Sequence, residues 1–519
     1  MIVSQGSYPD SIVITNSVVL MGAPPVDMFS PGAFPVVGRV RIAAPTTAFV
    51  TISGFHMQGP VRQAGASGGN KVTAFAACRL DSGIVAGSDA GGTQVATVRM
   101  HGCTVTGGAD LFVDYVDVSG STFLGGGLSQ QAGGVGMLRG NVALGPGTFG
   151  IRSLGASSGS LEVSDNLVQG TAEGIVGDGD LILGNTIAEA GIGIDLEGFG
   201  ASGTVATNVV RRTGAAGIVV GGTHSHFVVT SNSVDTAGTA GIHQTGGDGL
   251  MLSGNTVRHS GDPGVWAQGP GLVSQNIVLG AGGDGIRSET ATVRANVVGR
   301  SQRAGIVVVS AADVSGNTSY ENGAEGYLLN GTSADTIAHN IAFGNTGYGL
   351  AWTGGSAPVP ACNDWYANAG GAAIGIATGP SDLAVDPQFC NVPGDSVTLA
   401  STSPLLDAPG CGQVGARGEG CASPASVPSA SATALRFSVA PIPSSGHLRF
   451  SLPAQPTAAR LDVYDVTGAR RWGTVLDPRR TSVEWDGTDL AGHRLPAGTY
   501  YAYWTSAAGS SASRIVLVR

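Results

Sequence analysis

Hydrophobic and polar residues alternate along this chain in short bursts separated by turns. Between Asn141 and Leu350 an asparagine is followed, eight or nine residues later, by glycine and an aliphatic or aromatic residue, ten times over. The asparagines are Asn141, Asn166, Asn185, Asn208, Asn232, Asn255, Asn276, Asn296, Asn317 and Asn340, and their partners run from Gly150-Ile151 to Gly349-Leu350. They lie 19 to 25 residues apart, the period of a solenoid coil. One coil reads as follows. Ile242-His243-Gln244 is a short strand with Ile242 inward and His243 outward, and residues 246–249 turn a corner. Leu250-Met251-Leu252 is a second strand ended by Asn255, and Thr256-Val257-Arg258 is a third. Strands this short, heading in three directions, can pair only with the next coil, which predicts parallel sheets.

The asparagine is expected to form the corner itself, since it enters the left-handed region more readily than other non-glycine residues. Stacked about 4.8 Å apart, the amides would also bond to one another along the axis. The row is therefore structural, with no catalytic part. Residues 1–140 predict less regular coils: Val50-Thr51-Ile52-Ser53 alternates with period two, and residues 64–70 are expected to bulge outward. Met1 stands inside a strand pattern with no signal peptide and no polar cap before it. That is the expectation for a chain whose true N-terminus, with an export signal, is missing.

Composition narrows the partners. Glycine supplies 85 of 519 residues without an every-third pattern, which excludes collagen. Hydrophobic residues at 42% argue against disorder. A net charge of −10 with no Lys/Arg run makes nucleic acid and anionic membrane poor partners. No apolar run reaches the roughly 18 residues of a membrane helix. Of six cysteines, Cys362, Cys390, Cys411 and Cys421 crowd the segment after the repeats, which favours disulfides and an oxidising compartment. The expected bridges are Cys411–Cys421 and Cys362–Cys390. Cys78 and Cys103, about one coil apart, would stack as buried thiols or bond.

The Asn-ended strand followed by a Gly-Ile strand resembles the right-handed parallel β-helix repeat of the pectate-lyase-like superfamily, in pattern over residues 1–420. Cys362-Asn363-Asp364-Trp365-Tyr366 and Val385-Asp386-Pro387-Gln388-Phe389 resemble the closing segment of secreted β-helix proteins, which implies a cap over the last coil. Residues 423–433 have the Ser/Ala/Pro composition of a linker. Beyond them, Arg460-Leu461-Asp462-Val463-Tyr464, Val483-Glu484-Trp485-Asp486-Gly487 and Pro441-Ile442-Pro443-Ser444 resemble the Ig-like domain of the flagellar hook-capping type, with type IX secretion sorting domains among its forms. The fold expected is all-β: a three-sheet, right-handed parallel β-helix over residues 1–355, a disulfide-held cap over 356–422, a linker over 423–433, and a small Ig-like β-sandwich over 434–519. The last would serve for sorting or surface attachment.

In the resembled superfamily, lyases and hydrolases work in the groove along one sheet, and the Gly-Ile sheet is its counterpart here. Two residues after each glycine the outward row reads Asp195, Val219, His243, Trp266, Arg287 and Val307; four after it, Glu197, Gly221, Thr245, Gln268 and Glu289. Asp195, His243, Arg287 and Glu289 are candidate catalytic residues, since carboxylates and imidazole move protons and guanidinium pairs with a uronate. Glu197, Trp266 and Gln268 are candidate ligand contacts, with Trp266 as an exposed platform for a sugar ring. Against this, any solenoid's outward row must be polar, and Val219 and Val307 interrupt it. His224-Ser225-His226 would place two imidazoles together without a third metal ligand. Asp178-Gly179-Asp180 is a Ca²⁺ candidate, otherwise a solvated turn; no other cofactor is expected. Residues 155–159 match a nucleophile-elbow pattern with no helix after it, and the Gly-His-Gly and Asp-Asp motifs of polygalacturonases are lacking. The function expected is that of an exported bacterial protein, secreted or at the cell surface. It would bind polysaccharide or cell-surface glycan, or serve as an adhesin or stalk, and its other partner would be the export machinery. The alternative is a polysaccharide lyase, glycoside hydrolase or epimerase.

Overall fold

The computed structural model describes residues 1–519 except 5, 23–33, 44–46, 64–70, 88–94, 132–134, 155–160, 179–180, 199–200, 423–436, 443, 453–457, 466–468, 507–508 and 519. The bulge expected at 64–70, the linker at 423–433 and the elbow-like residues 155–159 thus lie outside the described residues. The chain forms two compact units, Met1–Pro424 and Ala425–Arg519.

The first unit is a parallel β-solenoid. Each coil contributes three short strands, as in Ile218–Gly221, His226–Thr230 and Ser233–Ala237. Each strand pairs in parallel with its counterpart one coil on, giving Ile218↔Ile242, Val229↔Leu252 and Val234↔Val257. Three faces result. The long strands Ala109–Ser119, Ile306–Ser315 and Tyr327–Ala338 run across the corner between the first face and the second. Alternation sends every second residue inward, so Ile194, Ile218, Ile242 and Ile286 form one fully buried column. Each such side chain contributes about 2 kcal/mol of apolar burial.

The corners depart from expectation. The residue in the left-handed region is the one before the asparagine: Gly140, Asp165, Gly184, Thr207, Ser231, Gly254, Gln275, Ala295, Gly316 and His339 all have φ between 54° and 65°. The asparagines are released for another task. The main-chain N–H of Asn166 donates to Asn185 Oδ1 (3.0 Å), its Nδ2 donates to the same oxygen (2.9 Å), and Nδ2 also donates to the Leu138 carbonyl (2.7 Å). This pattern repeats from Asn141 to Asn363. The column starts earlier in other residues, with Cys103 N–H bonded to Ser121 and Ser121 N–H to Asn141, and it ends on Asp382. A second, shorter ladder, Asn322, Asn345 and Asn368, occupies the next corner over three coils. Cys78 and Cys103 are buried free thiols in the first column.

Beyond the last coil the chain folds back along the flank of the third face. Phe389–Asn391 pairs antiparallel with Ser396–Ala400, which pairs parallel with Glu419–Cys421. Leu399, Leu405 and Val414 pack on Ile341, and Val397 on Leu279, Val297 and Tyr320. Asp395 anchors the return, meeting Arg300 at 2.7 Å and the Tyr320 hydroxyl at 3.1 Å. This route sets the disulfides, which are Cys362–Cys411 and Cys390–Cys421 rather than the sequence-adjacent pairs expected. Cys411 returns to the last coil, where Cys362 stands, and Cys390 and Cys421 flank the same central strand.

The second unit has two antiparallel sheets, Ser438–Ala440 with Leu448–Ser451 and Ser482–Trp485, and Arg470–Leu476 with Ala459–Asp465, Gly498–Ser506 and Gly509–Leu517. Phe450 and Trp485 from the first and Leu461, Ala502 and Trp504 from the second share one core.

Candidate functional site

The outward row of the first face is in register throughout. Asp195 pairs with Val219, Val219 with His243, His243 with Trp266, Trp266 with Arg287 and Arg287 with Val307. The row also runs on toward the N-terminus through Val176, Arg152, Ser129 and Asp110. Coil spacing brings its members together in groups, and the groups differ in how well their charges and polar atoms are satisfied.

The acidic group holds Asp195 and Glu197 on Ile192–Glu197, beside Glu173 on the preceding coil. Burial, then Glu197 and Glu173, push the Asp195 carboxyl up to about 6. Glu197 reaches past Gly221 to accept a hydrogen bond from Thr245 two coils on. Glycine is required there, since a Cβ at 221 would lie 2.3 Å from Thr245 Oγ1.

The aromatic group is His243, Trp266 and Gln268. The imidazole and indole lie face to face, 4.5 Å between centroids and 10° between planes. Trp266 is therefore half-buried with one ring face covered, not the exposed platform expected; in-register rings one coil apart stack on each other before they stack on a ligand. Burial lowers the His243 pKa, against the opposing influence of Glu197 and the neighbouring Gln268 amide. Nε2 of His243 and Nε1 of Trp266 are both buried and have no hydrogen-bond partner among the described residues.

The third group is ion-paired within itself. Arg287 Nε lies 3.1 Å from Glu289 and its Nη1 3.9 Å from Asp284. The guanidinium expected to meet a uronate thus already has carboxylate partners. Asp284, raised chiefly by burial, was not legible as a member because it precedes the glycine instead of following it. Asp195 and His243 remain two coils apart with Val219 between them.

A fourth group went unread in the sequence. A cavity of about 440 Å³ lies over the coils from Ile84 to Arg152, lined by Asp110, Ser129, Gln131, Phe149 and Arg152. The Arg152 guanidinium sits 4.1 Å above the Phe149 ring. Its Nε is buried without a partner among the described residues. Gln131 donates to Asp110 at 3.0 Å. The floor is recessed because its corners are glycine: a Cβ at Gly127 would meet the Phe149 ring at 2.5 Å. The adjacent glycines before two of its strands, Gly107-Gly108 and Gly126-Gly127, were the available signal.

The remaining candidates fall elsewhere. His224 bonds Asp248 at 2.6 Å, and His226 opens a strand of the second face. Of the Ca²⁺ candidate, residues 179 and 180 lie outside the described residues. Among the described residues no group of three His, Cys, Asp or Glu is placed to hold a metal ion, and no helix is long and apolar enough to cross a membrane.

A family model described as a right handed beta helix region matches residues 240–387. No curated protein matches the chain. One similar solved structure comes from work on PorZ, an essential bacterial surface component of the type-IX secretion system of human oral-microbiomic Porphyromonas gingivalis. The likeness covers 16% of this chain and 11% of that one, at 21% identity and a TM-score of 0.14, an overlap too small to bear on function. With the parallel three-faced solenoid, the matched coils make this a right-handed β-helix repeat protein.

Proposed function

We propose that this is an exported protein that binds polysaccharide along the outward row of its first face. The observation that carries the reading is the His243–Trp266 stack, with two buried ring nitrogens that lack hydrogen-bond partners among the described residues. A buried N–H without an acceptor costs about 1–3 kcal/mol, which a bound hydroxyl or ring oxygen would recover by shifting the stacked rings to reach it. The unpaired Arg152 and the half-buried Asp195 extend the same row on one side. The two disulfides that hold the fold-back segment fit an oxidising location. The second unit, read as an Ig-like sandwich, would then sort or attach the protein at the surface.

A lyase, hydrolase or epimerase is the second reading, favoured by the Asp195 carboxyl. Held at about 6, it is partly protonated near neutral pH and could pass a proton to a sugar oxygen. One experiment separates the two: screening the full-length protein against acidic and neutral polysaccharides, with depolymerisation and binding scored in parallel. Binding without cleavage that is weakened at least tenfold in Trp266→Ala supports the first reading. Cleavage lost in Asp195→Asn supports the second. Binding unchanged in both Trp266→Ala and His243→Ala removes the row from the function.

A further inference from the structure

The second unit carries a cleft of its own. Where Ser438–Ala440 ends, Leu448–Ser451 begins and Ser482–Trp485 ends, a cavity of about 630 Å³ opens. Its aromatic wall is Trp472 and Trp485, 5.6 Å apart between centroids. Trp472 is half-buried and lies parallel to Phe450 beneath it, with 10° between planes. Trp485 is fixed by its Nε1, which donates to the Thr488 carbonyl at 2.8 Å. Around this wall stand exposed polar groups. Arg449 and Glu484 face each other in the antiparallel register and make no ion pair among the described residues. The Thr488 hydroxyl and N–H donate to Asp486 at 2.6 and 3.1 Å and hold its carboxyl below the usual range. His447 completes the rim. On the far side of His447 and Asp486 lies a second cavity of about 610 Å³ that reaches Arg494.

We propose that this end of the second unit binds a neutral oligosaccharide. The volume falls within the several hundred Å³ usual for small-ligand sites. Its polar rim mixes signs: Glu484 and Asp486 accept, while Arg449 donates. A sugar hydroxyl does both, so a polyol can answer carboxylate and guanidinium at once. A polyanion would instead meet two carboxylates with one guanidinium, and a polycation would meet Arg449. The half-buried Trp472, backed by the buried Trp485, offers apolar surface for the C–H face of a pyranose, with a rigid ring that loses little entropy on binding.

The site is separate from the row on the solenoid, and the test keeps the two apart. Full-length protein is titrated calorimetrically with β-1,4-linked hexaoses of glucose, mannose and xylose. At least one is expected to bind. Its affinity is expected to fall at least tenfold in Trp472→Ala and in the double variant Arg449→Ala/Glu484→Gln, and to persist in Trp266→Ala. The double variant alters exposed side chains only, so it reads the site even if removing Trp472 disturbs the core. No binding of any hexaose overturns the proposal, as does binding that the double variant leaves unchanged or that Trp266→Ala abolishes.

Discussion

Replacing Asn255 by alanine tests the ladder where it is most complete. Its Oδ1 accepts from Asn232 N–H and Nδ2, both at 2.9 Å. Its own Nδ2 donates to Asn276 Oδ1 at 3.0 Å and to the Val229 carbonyl at 2.9 Å. Removing the amide leaves the Asn232 main-chain N–H buried with no acceptor, at about 1–3 kcal/mol. Asn232 Nδ2 keeps the Val205 carbonyl and Asn276 Oδ1 keeps the Asn255 N–H, so the other losses are partial, about 1 kcal/mol each. The sum is about 3–5 kcal/mol, or roughly 10²- to nearly 10⁴-fold in local opening.

Hydrogen exchange followed by mass spectrometry is the assay, because nearest-neighbour coupling in a solenoid confines the effect to adjacent coils. Peptides over residues 229–258 should exchange faster by that factor, while those over residues 118–144 stay unchanged. Asn255→Asp sharpens the test. It keeps the acceptor for Asn232 but sets a carboxylate against the Asn276 and Val229 oxygens, so its pKa should rise in the fold. Stability is then retained at low pH and lost as pH rises. The chain itself places aspartate only at the ladder's end, where Asp382 meets four donors: Asn363 N–H and Nδ2, Trp365 Nε1 and Gly379 N–H. If Asn255→Ala costs no more than the half-buried neighbour Thr256→Ala, or if exchange quickens evenly over every coil, the ladder is not what holds these corners.

Three further outcomes are expected. Asp364 is fully buried beneath the fold-back segment, bonded through Oδ1 to the Val385 N–H at 2.9 Å, and burial pushes its carboxyl up to about 7. Its folded pKa exceeds the unfolded value near 3.9, so its full contribution to stability is present below about pH 4. On the order of 4 kcal/mol is lost as pH rises toward 7; thermal melts of Asp364→Asn across this window should be flatter than wild type. Removing Cys362–Cys411, which spans 49 residues, should cost about 4 kcal/mol, read as faster exchange over residues 277–343 in Cys411→Ser. Thr207 sits at φ 57°, a region costing a β-branched residue about 1–2 kcal/mol. Thr207→Gly should therefore stabilise the fold by about 0.5–1 kcal/mol after the glycine entropy penalty, read as a raised denaturation midpoint.

The solenoid was legible because its register is written in residue types. An asparagine every coil and a Gly-Ile pair after it fix which residues align, and the outward row from Asp195 to Val307 followed from counting. The corner chemistry was only half legible. Glycine at 140, 184, 254 and 316 advertises a left-handed residue, but Asp165, Thr207, Ser231, Gln275 and Ala295 occupy the same conformation at a cost, and they conceal it. The asparagine one position on was credited with their work. The short second ladder was readable as an asparagine five residues after Asn317, Asn340 and Asn363. Disulfide connectivity was not, because it depends on a segment that returns along the flank, and nearness in sequence says nothing of that path.

Side-chain pairing within the row could not be counted either, and it changes which residues matter. At the spacing of parallel strands every outward group has neighbours about 4.8 Å above and below, so charges and rings are satisfied first by one another. Arg287 takes Glu289, Glu197 takes Thr245, and His243 takes one face of Trp266. Polarity alone therefore does not mark a site on a solenoid. The residues worth mutating are those their neighbours leave wanting: the nitrogens of His243 and Trp266, the Nε of Arg152, and Asp195 crowded by two other carboxylates. If a ligand uses this face, its contacts should fall on those atoms, and Arg287→Ala should weaken binding far less than Trp266→Ala.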